Sequence, residues 1–128
     1  MLDRETMLTT IENGYAARMR GDKEALDRLW APDATFRIAG AAMFAEGPAD
    51  ARAAVDALID QVHFHSIERI ATIIEGPRAA VHLSVTLSVG DGPRHVVEVL
   101  DIWHFAESGR VQSMVEFSDT ALIATLLA

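Results

Sequence analysis

The sequence predicts a single α+β domain, spanning residues 1–128, in which helices pack on one face of a curved, mostly antiparallel sheet. Three observations lead to this class. Apolar residues in the first half recur at intervals of three and four, which is helical spacing. After residue 65 they alternate instead, as in strands. The alternating segments are joined by turns too short for parallel crossovers, so the strands form an antiparallel meander.

Two helices and a strand are predicted at the start of the chain. Apolar side chains mark one face of a helix over residues 5–20: Leu8, Ile11, Tyr15 and Met19. Gly21 can end this helix in the left-handed conformation, and Asp22 can cap a second helix over residues 23–30. Because Pro32 blocks continuation of that helix, residues 34–39 are predicted to form a strand.

A loop over residues 40–47 separates this strand from a third helix, which Pro48 can begin because its missing N–H costs nothing there. The inner face of that helix is predicted to carry Val55, Leu58, Ile59 and Val62. Turns rich in Gly, Pro and Asp then separate four strands. These strands cover residues 67–74, 79–89, 95–105 and 111–118. The tail, residues 119–127, has the pattern of a short capped helix.

Composition excludes several classes of function. The chain has no cysteine, so disulfides, thiolate nucleophiles and cysteine-based zinc sites are absent. A net charge of −8 argues against binding nucleic acid. No apolar run approaches the roughly 18 residues of a membrane span. The polar N-terminus lacks a signal-peptide core, so a cytoplasmic location and no membrane association are expected.

Asp101 is the leading candidate for a functional residue because it lies within a predicted strand, where a charge is normally excluded. Alternation puts it on one face with Val97, Val99 and Trp103. Burial among such side chains raises the pKa of a carboxyl group, which can then act as a general base or, when protonated, as a hydrogen-bond donor. The alternative is a structural Asp that is paired with a cation or exposed.

Three further titratable residues are candidates for catalysis. In a simple hairpin His82 falls opposite Asp101, and the carboxylate could then orient the imidazole. Glu116 shares a face with Met114 and Ser118, and a second carboxylate near Asp101 would hold one of the two protonated. His65 could act as an acid or base in a pocket. A metal site at His63 and His65 is not expected, because no third ligand stands at a suitable spacing. For each residue a purely structural role stays open.

Two blocks of sequence together resemble the SnoaL-like and ketosteroid-isomerase-like family. The first runs from Tyr15-Ala-Ala-Arg-Met-Arg-Gly-Asp22 through Leu26, Leu29 and Trp30 to Ala31-Pro32-Asp33-Ala34-Thr35-Phe36. The second comprises Asp101-Ile-Trp-His-Phe105, Gly109-Arg-Val111 and Met114-Val-Glu-Phe117. The order and spacing of these motifs cover nearly the whole chain.

The resemblance implies an NTF2-like cone, in which a bent sheet wraps round the long first helix and encloses one apolar pocket. We expect the pocket wall to include Tyr15, Trp30, Phe36, Ile38, Val99, Trp103 and Met114. Asp101 matches the family's oxyanion-stabilising Asp. The catalytic tyrosine of steroid isomerases aligns with Gly14, however, and their general base aligns with Ile38. A true steroid isomerase is therefore not expected.

Several functions stay open at this point. The first is a cofactor-independent isomerase, cyclase or lyase acting by acid–base catalysis on a small hydrophobic carbonyl compound. The second is a non-catalytic protein that binds a small hydrophobic molecule, and the third is a dehydratase similar to scytalone dehydratase. A scaffold that mainly dimerises is a further possibility. For each of these functions a homodimer through the open sheet face is expected, formed by a stripe comprising Val81, Leu83, Val85, Leu87, Leu100 and Ile102.

Overall fold

The computed structural model describes residues 2–40 and 49–127, and it confirms the predicted α+β class. In chain order the elements are α1 (Arg4–Arg20), α2 (Lys23–Asp27), β1 (Trp30–Ile38), β2 (Ala49–Asp50), α3 (Ala51–Gln61), β3 (Val62–Glu75), β4 (Arg78–Val89), β5 (His95–Phe105), β6 (Val111–Phe117) and α4 (Thr120–Leu127). The predicted loop after Gly40 and the predicted helix start at Pro48 lie outside the described residues. No helix in the described ranges is long and apolar enough to cross a membrane.

The strands form one six-stranded sheet in the order β2-β1-β6-β5-β4-β3. The pairs from β3 to β6 are all antiparallel, which confirms the predicted meander. β1 joins the edge of this meander parallel to β6. A parallel pair needs a long connection, and here α3 and four strands lie between the two partners in the chain. The result is a mixed sheet with the N-terminal and C-terminal segments side by side.

Two predicted helix ends give way to strand pairing. The second helix ends at Asp27 rather than residue 30, because Trp30 pairs with Val111 at the start of β1. The backbone N–H of Val111 also donates to the carbonyl oxygen of Leu29, at 2.8 Å. Val62, predicted on the third helix, instead begins β3 and pairs with Val89. In both places hydrogen bonds to a distant strand outweigh the local helical pattern.

The inner face of the sheet carries the core. Val81, Leu83, Val85 and Leu87 of β4 are at most 3% exposed. The prediction that these four residues lie on the open face is therefore wrong. The outer face instead presents the alternate residues of β4 and β5, among them His82 and Leu100.

The β4–β5 register also differs from the predicted one. Val81 pairs with Asp101, and His82 pairs with Leu100, so the predicted pairing of His82 with Asp101 is wrong. The pairing of the two strands stops at Leu87 and His95, because the last residues of β4 pair only with β3. The turn is therefore asymmetric, and it shifts the register by one residue relative to the predicted hairpin. Residues of β4 that were predicted to share a face with Asp101, such as His82, lie on the opposite face instead.

α1 packs on the inner face through small residues as well as large ones. The side chain of Asp3 caps its first turn by accepting from the N–H of Thr6 at 2.7 Å. Gly21 ends the helix at φ 65°, as predicted for a left-handed cap. The buried residues are Met7, Ile11, Gly14 and Ala17, whereas Met19 is largely exposed. The buried face of α1 is therefore rotated relative to the face predicted from the large apolar residues alone.

Replacing Gly14 by Ala is expected to destabilise the protein. A Cβ at this position would lie 2.9 Å from Cη2 of Trp103. Such overpacking costs about 1–3 kcal/mol, which exceeds the gain of roughly 1 kcal/mol that Ala brings to a helix. We expect a lower urea midpoint for Gly14→Ala, whereas Asn13→Ala, on the exposed side of the same helix, keeps or raises the midpoint. Equal or higher stability of Gly14→Ala would contradict the close packing of α1 on Trp103.

Candidate functional site

A largely apolar cavity of about 90 Å³ lies between the helices and the inner face of the sheet. On this scale one water molecule takes roughly 10–15 Å³, so the cavity suits a small organic molecule. Both tryptophans of the chain contribute to its wall. The polar residues that line it are Tyr15, Arg18, Asp101, Glu116 and Ser118.

Asp101 lies on the inner face of β5 between Val99 and Trp103 and is only 2% exposed. Its Oδ2 accepts a hydrogen bond from the hydroxyl of Tyr15 at 2.7 Å. The indole N–H of Trp103 donates to the same hydroxyl oxygen at 3.1 Å. Tyr15 and Trp103 also meet edge to face, with ring centroids 5.5 Å apart. α1 and β5 therefore hold this carboxyl in one orientation through a chain of two hydrogen bonds.

Glu116 lies directly opposite Asp101 in the β5–β6 ladder, and it lines the cavity as predicted from its face. The register brings the two carboxyl groups onto neighbouring strands, where cross-strand side chains are in contact range. Oδ1 of Asp101 is buried and has no hydrogen-bond partner among the described residues. This oxygen is the one left to engage a ligand or a proton shared with Glu116.

The surroundings of the two carboxyl groups raise both pKa values, and they raise that of Asp101 more strongly. Burial, followed by the nearby charge of Glu116, raises the pKa of Asp101 well above its usual value, and the hydrogen bond from Tyr15 offsets this only in part. Burial also raises the pKa of Glu116, and the neighbouring Asp101 and the positive charge of Arg18 offset this only in part. Asp101 therefore holds the proton that the pair shares, and Glu116 ionises first.

Tyr15 stays a neutral phenol in this site. Burial, followed by the negative charge at Asp101, raises the pKa of Tyr15 well above its usual value of 10.0. The hydroxyl can therefore donate to Asp101 at every pH at which the protein is normally handled. Tyr15 was predicted to line the pocket from the inner face of α1, whereas its hydrogen bond with Asp101 was not predicted.

Arg18 is a cavity residue that the sequence analysis missed. It lies one helical turn after Tyr15, and its Nη2 donates to the carbonyl oxygen of Val62 at 2.7 Å. The guanidinium lies over the ring of Phe64, 3.9 Å from the centroid. Burial lowers the pKa of Arg18 from its ordinary value to about 10, so the group is still a cation at neutral pH. Its spacing from Tyr15 was the available signal, since residues three apart share a helix face.

Two of the four predicted catalytic residues lie away from the cavity. His82 is on the outer sheet face, where its Nε2 is 2.9 Å from Oε1 of Glu98. His65 pairs through Nε2 with the hydroxyl of Ser88 at 2.7 Å and does not line the cavity. Within the described residues no cluster of three His, Asp or Glu residues could hold a metal ion.

The predicted pocket residues all lie in the cavity wall, and their role in binding stays a prediction: Tyr15, Trp30, Phe36, Ile38, Val99, Trp103 and Met114. The two positions where the steroid-isomerase pattern fails have local substitutes. A tyrosine hydroxyl reaches Asp101 from Tyr15 rather than from position 14. Ile38, at the position of the absent general base, pairs directly with Glu116 in the β1–β6 ladder. A carboxyl group therefore lies beside that position on the neighbouring strand.

Comparisons with known proteins agree with this architecture. A family model described as a SnoaL-like domain matches residues 11–114. A putative isomerase from Bacillus subtilis superposes with a TM-score of 0.84 at 16% identity, covering 99% of this chain and 96% of that one. An LEH-like epoxide hydrolase from M. tuberculosis gives 0.75 at 15% identity, with 96% and 90% covered.

A third solved structure is SalBIII, an epoxide hydrolase/cyclase-like enzyme of pyran ring formation in the polyether salinomycin. It superposes with a TM-score of 0.77 at 19% identity, covering 94% of this chain and 96% of that one. No curated protein sequence is similar enough to count as a relative. At these identities the structural likeness establishes the fold, and chemistry has to be argued from the cavity.

Replacing Asp101 by Asn is expected to change how stability depends on pH. Because the folded-state pKa of Asp101 is raised, the native protein binds the proton more tightly than the unfolded chain does. Its contribution is therefore fully present below the unfolded-state pKa and is lost as pH rises toward the folded-state value. The free energy of unfolding of wild type should fall relative to Asp101→Asn between pH 4 and 8, by at most about 1.4 kcal/mol per pH unit.

Urea denaturation at a series of pH values measures this difference. Glu107→Gln, which removes an exposed carboxylate in the turn after β5, provides the matched control and should leave the pH profile of wild type nearly unchanged. A constant difference between wild type and Asp101→Asn across the range would show that Asp101 titrates normally.

Proposed function

The chain belongs to the SnoaL-like domain family, and we propose that it catalyses proton transfer on a small hydrophobic carbonyl compound, as an isomerase, cyclase or lyase. One observation carries the proposal: Asp101 and Glu116 face each other at an apolar cavity, and their environments raise the pKa of Asp101 more strongly than that of Glu116. Two carboxyl groups whose pKa values are driven apart make an acid and a base available at the same place.

In the proposed reaction Glu116 is the general base. Its carboxylate removes a proton from the carbon next to the substrate carbonyl, and the electron pair of the C–H bond moves to the carbonyl oxygen. The protonated carboxyl of Asp101 donates a hydrogen bond to that oxygen as it becomes negative. Glu116 then returns its proton to the same or a different carbon, or the enolate attacks a second carbonyl to close a ring. No cofactor is needed for this cycle.

Tyr15 and Trp103 are proposed as positioning residues. The hydroxyl of Tyr15 occupies Oδ2 of Asp101, which leaves Oδ1 as the oxygen available to the substrate. The indole N–H of Trp103 in turn fixes the hydroxyl. Apolar walls keep water away, so the hydrogen bond to the oxyanion forms in a medium of low dielectric constant, where it is stronger.

Epoxide opening is the second candidate, because the family includes epoxide hydrolase/cyclase-like enzymes. The same pair could serve: Asp101 would donate its proton to the ring oxygen while Glu116 deprotonates the attacking water or hydroxyl group. The unpartnered Oδ1 of Asp101 favours a ligand oxygen in either reaction. A dehydratase that uses His65 is not proposed, since His65 lies outside the cavity wall.

We also propose that two copies associate through the outer face of the sheet. Apolar side chains on this face are exposed, and Val96, Leu100 and Phe117 are 70%, 37% and 41% exposed respectively. Leu100 on β5 pairs directly with Phe117 on the neighbouring strand β6, and Ile102 pairs with Val115 on the same face, whereas Glu98 separates these residues from Val96. Such a patch is typical of a surface that another protein copy covers.

Replacing Glu116 by Gln is expected to abolish proton abstraction. The assay follows exchange of the α-hydrogens of small cyclic ketones for deuterium in D₂O by NMR. Loss of a general base costs roughly 10²- to 10⁴-fold in rate, and Asp101→Asn should also slow exchange because an amide is a poorer donor to an oxyanion. His82→Gln, on the outer face, is the matched control and should exchange at the wild-type rate.

The ketone assay also separates the alternatives. If wild type exchanges no ketone but hydrolyses a small apolar epoxide in a Glu116-dependent way, the epoxide reaction is the correct one. If wild type does neither and the same ligands still bind, the protein is a non-catalytic binding protein and the acid–base proposal is wrong.

Replacing Leu100 by Glu is expected to convert a dimer into monomers, because a charge would then lie in the centre of the apolar patch. Light scattering coupled to size exclusion measures the mass. Glu107→Lys, in the turn after β5, is the control and should leave the dimer intact. A monomeric wild type at high micromolar concentration would contradict association through this face.

A further inference from the structure

Arg18 is a cation in an otherwise apolar part of the cavity, and it touches no reacting atom in the proposed proton transfer. Within the described residues its contacts are one hydrogen bond to a backbone carbonyl and the face of the Phe64 ring. Among the described residues no carboxylate oxygen lies within 4.0 Å of its nitrogens. A guanidinium has further N–H donors in a planar fork, and it normally binds a carboxylate in this geometry.

Burying such a cation without an anionic partner is costly. Val62 and Phe64 satisfy one donor and one face of the group, and Glu116 contributes its charge from beyond ion-pair distance. The side chain nevertheless lines the cavity, where its free donors are available to a ligand. A ligand with a negatively charged oxygen would complete this set of interactions.

The strand register orders the polar groups along the cavity. Phe64, under the guanidinium, pairs with Leu87, which pairs with His95 at the start of β5. Asp101 lies further along β5 on the same face, opposite Glu116. Beyond it come Trp103, Met114 and Phe36, which are paired across β5, β6 and β1. The cavity therefore has a cation towards one end, the carboxyl pair in the middle and apolar side chains at the other end.

We propose that Arg18 binds a carboxylate of the substrate, so that the compound taken by this cavity is a small apolar acid with a carbonyl group between its carboxylate and its hydrocarbon part. The carboxylate would lie at Arg18, the carbonyl at Asp101 and Glu116, and the hydrocarbon against Trp103 and Phe36. This assignment of substrate class rests on the proposed function. It also makes Arg18 the residue that determines the specificity of the site.

A carboxylate fits better than a phosphate. Arg18 is the one Lys or Arg among the described residues of the cavity wall, so a dianion would be only half neutralised. Glu116, on the same cavity, would repel the second negative charge. A monoanion matched to one guanidinium is the ligand that leaves the least buried charge uncompensated.

Binding of a substrate carboxylate to Arg18 would change the pKa of Glu116. The positive charge of Arg18 lowers the pKa of Glu116 in the free protein. A substrate carboxylate on the guanidinium cancels much of this field, which raises the pKa of Glu116 and makes it a stronger base when substrate is present. A merely structural arginine would not couple the charge of the ligand to the titration of Glu116.

Tryptophan fluorescence tests the proposal, because both tryptophans line the cavity. The probes are 4-phenylbutyrate and its neutral analogue 4-phenylbutanamide, which share a hydrocarbon part. At pH 7 wild type should bind the acid more tightly than the amide. Arg18→Gln should weaken binding of the acid by roughly 10- to 100-fold, as expected for loss of a charge-assisted hydrogen bond, and leave the amide nearly unchanged.

Arg37→Gln, which removes an exposed arginine of β1, is the matched control and should bind both probes like wild type. Arg18→Lys keeps the charge and should retain part of the preference for the acid, which tests the proposal even if Arg18→Gln is poorly folded. Wild type that binds the amide as well as the acid, or binds neither, overturns the proposal. Equal binding of the acid by Arg18→Gln and wild type does so as well.

The proposed proton transfer and the proposed carboxylate site are tested by different measurements, so either proposal can fail alone. Exchange of α-hydrogens in neutral ketones needs Asp101 and Glu116 but no carboxylate on the ligand, so wild type tests it independently of the binding of the acid. A protein that prefers the acid through Arg18 but exchanges no ketone would refute the proton-transfer mechanism and keep the carboxylate site. A protein that exchanges ketones without preferring the acid would refute the carboxylate site and keep the proton-transfer mechanism.

Discussion

The hydrogen bond between Tyr15 and Asp101 is the interaction on which the site depends. It joins α1 to β5 across 86 residues of sequence, at 2.7 Å, inside an apolar core. A carboxyl group in such a place is tolerated only when it is hydrogen-bonded or neutral, and here both conditions apply. Gly14 allows this contact, because the absence of a Cβ lets the Trp103 ring approach the helix and donate to the same hydroxyl. The position of α1 over the sheet and the orientation of Asp101 are therefore fixed together.

This arrangement makes the two carboxyl groups of the cavity chemically different. Burial keeps the proton of the carboxyl pair on Asp101, although the hydrogen bond from Tyr15 opposes this, while the field of Arg18 favours the ionised form of Glu116. The acid and the base are thus distinguished by their neighbours rather than by residue type. The same feature explains how the chain can lack the two aligned residues of a steroid isomerase and still hold a tyrosine, a neutral Asp and an ionised carboxylate around one space.

The features that could be predicted from the sequence are those that alternation along a single strand determines. Asp101 shares a face with Val99 and Trp103, and Glu116 with Met114, whatever the neighbouring strands do, and both faces point into the cavity. The position of His82 depended instead on the register between two strands, and an asymmetric turn after Leu87 shifted it by one residue. The buried face of β4 was misjudged for a related reason, since an apolar stripe alone does not tell a core from an interface. Arg18 was missed because burial of a charged helix residue depends on the sheet that covers it.

The carboxyl pair is better explained by chemistry than by stability. Two buried carboxyl groups on adjacent strands lower the stability of the native state above the pH at which they titrate in the unfolded chain. An Asn and a Gln of similar shape could make the same hydrogen bonds without that cost, and apolar residues could fill the space outright. The fold therefore gains nothing from keeping both groups ionisable. A pair of this kind at the wall of a cavity, with a cation nearby, suits the proton transfer proposed for this site.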